Sequence, residues 1–185
     1  YKSSPFGMVS SFFYGTIQSA LFTLLAVYAT SMNFTILEVS IVTFLLAVSG
    51  AVAQFPVGKI SDVYDRRKVI IASTFGAAIF AIITIFVSGQ MYLPDGLATS
   101  KTWFYIFFIL FSFCSLPMFS LILAHTNDYI TKDKFVAAGA GLQFTFGLGA
   151  ISGPFLCSIF MDLVGSNGFF VFLFFFHSLI GAFGI

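Results

Sequence analysis

The stretch Gly58-Lys-Ile-Ser-Asp-Val-Tyr-Asp-Arg-Arg-Lys68, GKISDVYDRRK, gathers six charged residues into eleven positions. The whole chain of 185 residues has only fifteen, eight basic and seven acidic. Apolar runs flank the stretch on both sides. A chain this short of charge spends it where the backbone must stay in water, so the cluster reads as a loop between two apolar helices.

The composition says what surrounds that loop. Charged residues make up 8% of the chain, against roughly a quarter in an ordinary soluble domain. Hydrophobic residues make up 59%, and mean hydropathy is +1.04. So few charges cannot cover the surface of a water-soluble fold of this size, and the lipid bilayer is the solvent that suits it. A membrane helix needs about 20 predominantly apolar residues. Six segments meet that need: residues 6–31, 36–57, 69–93, 102–124, 135–161 and 169–185. The fifth carries several Gly and one Pro but no charge, which a membrane helix tolerates when neighbours satisfy the freed backbone groups.

Direction follows from Lys and Arg, which accumulate on the cytoplasmic side. With the N-terminus inside, that side holds Lys2, Lys59, Arg66, Arg67, Lys68, Lys132 and Lys134, and the outer side holds Lys101. The opening stretch is then the cytoplasmic loop between spans two and three, and residues 94–101 lie outside. The chain has no initiating Met and ends within an apolar run, so it reads as a piece of a longer protein.

At an offset of one hundred residues the chain matches itself. Asp62 falls on Asp162, and Ile-Ser-Asp-Val-Tyr-Asp-Arg-Arg-Lys-Val faces Phe-Met-Asp-Leu-Val-Gly-Ser-Asn-Gly-Phe. Each copy closes a second apolar span, carries Asp and enters a third span, the first copy inside and the second outside. Two three-helix units of opposite orientation, residues 1–95 and 101–185, form the pattern of a 3+3 inverted repeat. The expected fold is an all-α membrane protein of six transmembrane helices.

Here the residues resemble a known family. Gly58, Ile60, Ser61, Asp62, Tyr64, Asp65, Arg66, Arg67 and Ile70 resemble the cytoplasmic loop signature of the major facilitator superfamily, Gly-x-Leu-Ala-Asp-Arg-x-Gly-Arg-Lys-x-x-Leu. Val63 replaces its first basic residue, and Asp65 its second Gly. The resemblance implies half of a twelve-helix fold, with the other six helices absent from this chain. No Arg lies in 102–124, and Asp65 together with Ala124-His-Thr-Asn-Asp128 is more similar to the C-terminal half, in particular to that of bacterial YcaD-like transporters. The implied activity is secondary transport of a small solute by alternating access across the bacterial inner membrane, with H+ or another ion as coupling partner.

The loop's chemistry has its own logic. Gly58 lets two helices approach. Asp62, at a helix end, can accept hydrogen bonds from the N-terminal amides of a neighbouring helix. Arg66 and Arg67 can pair with carboxylates or with the phosphates of membrane lipid. The resemblance makes this a latch that forms in one conformation and breaks in the other. The plainer reading is an anchor that only sets topology. Asp62 is read as latch, since topology needs no acid there, and Arg67 and Lys68 as anchor.

Polar groups at membrane depth tend to face protein or a water-filled cavity. Ser11, Tyr14 and Gln18 share one face of the first span, and Gln143 shares a face of the fifth with Gly139 and Gly147. Tyr14, Gln18 and Gln143 are the candidate cavity-lining residues, and ordinary interhelical hydrogen bonding is the alternative for each. Ser112 and Ser115 precede Pro117 on the fourth span. His177 is the titratable group well inside a span, and proton coupling is weighed there against a hydrogen-bonded His in a peripheral helix. Glu38 and Asp162 sit at outer helix ends and read as caps or gates.

Other chemistry is excluded. A net charge of +1 offers no basic surface to nucleic acid. Cys114 and Cys157 lie in apolar runs, and with two scattered His they make no metal site. Gly58-Lys59 fails as a phosphate loop because Ala53 and Ile60 occupy required positions. The glycines of 139–153 have no dinucleotide spacing, and no cofactor is expected. Gly149-x-x-x-Gly153 reads instead as close helix packing. Gly149-Ala-Ile-Ser-Gly153-Pro154 also resembles an antiporter signature, but departs from it at Cys157 and Ser158. Asn33-Phe-Thr35 matches a glycosylation acceptor by chance. No nucleophile, base and orienter can be grouped, so the chain is not read as an enzyme. Two alternatives to a transporter half stay open: a six-helix protein that works as a dimer, and a non-transporting scaffold or receptor.

Overall fold

Helix α1 (Pro5–Ser31) ends and α2 (Ile36–Val63) begins within four residues, because two caps interlock there. Asn33 adopts a left-handed conformation at φ 59°, which Asn tolerates better than most residues. That turns the Phe34 amide back to the Ala29 carbonyl at 3.0 Å and the Asn33 amide to that of Thr30 at 3.1 Å, the pairing that closes a helix C-terminus. Thr35 then caps α2. Its hydroxyl accepts from the Glu38 amide while the Glu38 carboxylate accepts from the Thr35 amide, a reciprocal capping box. Asn33 and Thr35 are thus employed in the turn itself.

The computed structural model describes residues 4–89 and 97–185, side chains at 97–100 excepted. Lys2 and Asp95 lie outside the described residues. After α2 come α3 (Arg66–Gly89), α4 (Leu97–Ser115), α5 (Met118–Asn127), a short 3-10 turn at Lys132–Lys134, α6 (Phe135–Val164) and α7 (Gly168–Gly184). Among the described residues all regular structure is helical. Five stretches are long and apolar enough to cross a membrane, with Lys101–Asn127 counted as one. Gly168–Gly184 is apolar but shorter.

The fourth span differs from expectation: it is two helices, α4 and α5, broken at Leu116-Pro117. Pro117 has no amide hydrogen, and its ring collides with the carbonyl four residues back. The break leaves the Leu116 carbonyl available, and the buried Tyr14 hydroxyl donates to it at 3.0 Å. By contrast, α2 and α6 run through Pro56 and Pro154 without interruption.

Polar contacts tie the helix ends into two groups. At one end, α3 is joined to α5 by Arg66 and Asp128, and to α7 by Arg67 and the Gly184 carbonyl. The start of α1 is there too, with Phe6 under the Arg67 guanidinium. At the other end, Glu38 of α2 meets Lys101 of α4 at 2.7 Å, and Ser88 of α3 donates to Asn167 before α7 at 2.8 Å.

Laterally, α1 lies along α6, α2 along α4, and α3 against both α4 and α7. Small residues permit the closest of these contacts. A Cβ on Gly149 would strike the Phe12 carbonyl of α1, one on Gly153 the Thr16 carbonyl, and one on Gly15 the Phe146 carbonyl of α6. The Gly149 and Gly153 spacing therefore does serve close packing. Aromatic rings fill the opposite side, where Tyr28, Phe104, Phe108, Phe111, Phe169 and Phe170 are fully buried.

Candidate functional site

The charged loop is built on the turn from α2 to α3. Asp65, which stands where the family signature has Gly, is the N-cap of α3: its carboxylate accepts from the Arg67 amide at 2.9 Å, and its carbonyl from the Val69 amide. An acidic cap satisfies an orphan amide and suits the positive helix end. The departure thus has a local structural role.

Arg66 is the hub of the loop. It reaches Asp62 at 3.2 Å on α2 and Asp128 at 3.0 Å beyond α5. Asp62 itself is largely exposed, and among the described residues its recorded partner is Arg66 rather than a row of helix amides. Arg67, read from sequence as a mere anchor, donates from Nε to the Gly184 carbonyl at 2.7 Å. That satisfies an orphan acceptor at the end of α7. At Gly58 a Cβ would meet nothing within 4 Å. Within this chain, Gly58 brings no two helices together.

A different feature lies between α1, α2 and the break of the fourth span. There Gln18, Phe22, Ala47, Gly50, Ala51, Gln54 and Leu116 line a cleft of about 230 Å³. Gly50 leaves room for Leu116, which a Cβ would strike. Gln18 is half-buried and Gln54 exposed, so two amides face one space at membrane depth. Of the predicted lining residues, Gln18 is at this cleft. Gln143 is exposed on α6, away from the cleft. Tyr14 is fully buried, hydrogen-bonded to Leu116 and tilted against Phe146. Ser11 is buried as well and donates to the Leu142 carbonyl, so the polar face of α1 is mostly glue between helices.

Gln54 was missed from sequence because no polar residue lies three or four positions from it on α2. Its signal was its isolation: an amide amid apolar residues at membrane depth is costly unless it faces protein or water. Asp128 was missed because its partner is sixty-two positions away.

His177 is fully buried, with Nε2 3.0 Å from the Ser115 hydroxyl and its ring edge-on to Phe111. It sits between α7 and α4, apart from the cleft. Glu38 combines its capping role with the Lys101 ion pair, and Asp162 is exposed at the end of α6. Among the described residues no group of three His, Cys, Asp or Glu could hold a metal.

A bundle of apolar helices with its charge drawn to the ends and a polar cleft between helices defines a multi-pass membrane protein. The family model for the Major Facilitator Superfamily matches residues 7–185, and the chain belongs to that superfamily. It is similar to the uncharacterized MFS-type transporter YfkF of Bacillus subtilis, 28% identical over 94% of this chain and 42% of that protein. It is also similar to uncharacterized MFS-type transporters of Yersinia enterocolitica and Methanocaldococcus jannaschii. The first is 24% identical over 92% of this chain and 41% of the relative. The second is 26% identical over 77% and 34%. The chain thus spans less than half the length of these relatives. No solved structure matches it.

Proposed function

We propose that this chain is the C-terminal six-helix half of a secondary transporter that moves a small solute across a bacterial cytoplasmic membrane by alternating access. The observation that carries the reading is the cleft holding Gln18 and Gln54. It opens on α1, α2 and the broken fourth span, and its uncharged amides can bind a polar solute without the cost of burying an ion. The curated relatives' names support the activity, and their greater length supports a second half. The absence of Arg from 102–124 supports the C-terminal assignment.

The helix packing supports a 3+3 inverted repeat for this half. Shifting by one hundred residues takes the buried Val42, Ser49, Ala53 and Val57 of α2 onto Leu142, Gly149, Gly153 and Cys157, the buried residues of α6. The same shift takes the exposed Phe44 and Phe55 onto the exposed Phe144 and Phe155. The partners exchange in the same way: α1 with α6 answers the fourth span with α2, and α3 with α7 lies on the axis.

Asp62 has a place in this reading. Its carboxylate is largely exposed, with Arg66 as its partner among the described residues, so the helix end it latches belongs to the other half. The Lys and Arg bias supports a cytoplasmic position for this end.

Solutes that raise the thermal midpoint of the detergent-solubilised protein identify the candidates, and uptake into proteoliposomes then tests the cleft. Gln54→Leu should raise KM about tenfold, the worth of one hydrogen bond to the solute. An unchanged KM in both Gln54→Leu and Gln18→Leu would contradict the assignment of the cleft.

A further inference from the structure

A second cleft lies beside the charged loop and has a different character. Helices α2 and α3 leave one another soon after their turn, and each packs on α4 instead. The space between them, about 370 Å³, is lined by Val57, Ile60, Val69, Ala72, Phe113 and Cys114. Its lining is almost wholly apolar. At the rim nearest the turn stand Tyr64, which is exposed, and Lys68.

The charge pattern around it singles out Lys68. Arg66 is shared between Asp62 and Asp128. Arg67 is held by the Gly184 carbonyl and lies over Phe6. Lys59 stands over the Phe55 ring at 4.4 Å. Lys68 has no ion pair or hydrogen bond recorded among the described residues, yet it lines the mouth of the apolar cleft. The arginines expected to meet lipid phosphates are therefore occupied within the protein, and a lysine takes that place.

We infer that the cleft between α2 and α3 is a binding site for one anionic phospholipid, its acyl chain along Ile60, Ala72 and Phe113 and its phosphate at Lys68. An acyl chain suits a lining that is apolar along its length apart from the Ser73 hydroxyl and the Cys114 thiol. Lys68 supplies a point cation and Tyr64 a hydroxyl for the phosphate oxygens. Because the cleft ends at the turn beside the loop, an occupying chain braces α2 against α3 directly beneath Arg66. The inference is independent of the solute cleft, which lies between α1, α2 and the fourth-span break.

Lipid retention tests it. The protein expressed from its full reading frame is purified in detergent and mixed with phosphatidylglycerol or phosphatidylcholine, and bound lipid is counted by native mass spectrometry. Wild type should retain phosphatidylglycerol about fivefold better than phosphatidylcholine, the effect of one lysine near an anionic headgroup. Lys68→Gln should abolish that preference and leave phosphatidylcholine unchanged. Cys114→Phe, which fills the cleft, should reduce retention of both lipids. Lys132→Gln, an exposed lysine away from the cleft, should alter neither. A preference that survives Lys68→Gln, or is lost equally in Lys132→Gln, would overturn the site. So would displacement of phosphatidylglycerol by millimolar inorganic phosphate alone, because the cleft would then bind phosphate and not lipid.

Discussion

His177 most invites a role in proton coupling, being a titratable group deep in a span. Its surroundings argue otherwise: the ring is fully buried, Ser115 meets Nε2, Phe111 lies edge-on, and Nδ1 has no hydrogen-bond partner among the described residues to relay a proton. His177→Gln should therefore retain most transport at every pH tested. Selective loss of pH dependence, with uptake otherwise intact, would make His177 the coupling site. Asp62 presents the opposite case. Its pair with Arg66 is exposed and contributes less than about 1 kcal/mol, so Asp62→Asn should leave thermal stability nearly unchanged. A charge-assisted hydrogen bond to the other half is worth about 1.5–3 kcal/mol, enough to shift a two-state population tenfold or more. Uptake by Asp62→Asn should accordingly fall, and a cysteine at Ala137, near the inner end of α6, should change in accessibility. If both stay at wild-type level, Asp62 only sets topology.

Among the elements, α1 and α6 form the tightest pair, and the prediction there is steric. Gly149→Ala puts a methyl into the Phe12 carbonyl and should cost about 1–3 kcal/mol, the usual range for overpacking. Gly147→Ala, two residues away, meets open space and should be tolerated or mildly stabilising. Comparing the thermal midpoints of the two variants checks this, and equal losses would mean that α1 and α6 are not packed through these glycines. That Gly149 and Gly153 serve close packing is legible in their spacing, whereas their partner, α1, is not. The break of the fourth span was less so, although Pro117 marked the place. Proline in a membrane helix can kink it, break it or be passed over, as Pro56 and Pro154 are, and only neighbours such as Tyr14 decide which.

At the scale of the molecule, hydropathy made the helices legible because a bilayer demands long apolar runs. The polar interior was harder to read. Helical spacing placed Ser11, Tyr14 and Gln18 on one face of α1, but two of the three are consumed by backbone carbonyls of other helices. Gln54 reached the cleft from a helix where it stands alone. Which polar group bonds its neighbour and which faces open space depends on how α1, α2 and the fourth span meet, and one helix at a time does not contain that information. The central claim is that this cleft opens alternately to the two sides of the membrane. The direct test places a single cysteine by Gln54→Cys in a background lacking Cys114 and Cys157. An impermeant thiol reagent is then applied to right-side-out and to inside-out vesicles. Alternating access predicts labelling from both sides, with labelling from each side reduced by a transported solute. Labelling from one side only, or from neither, would contradict it.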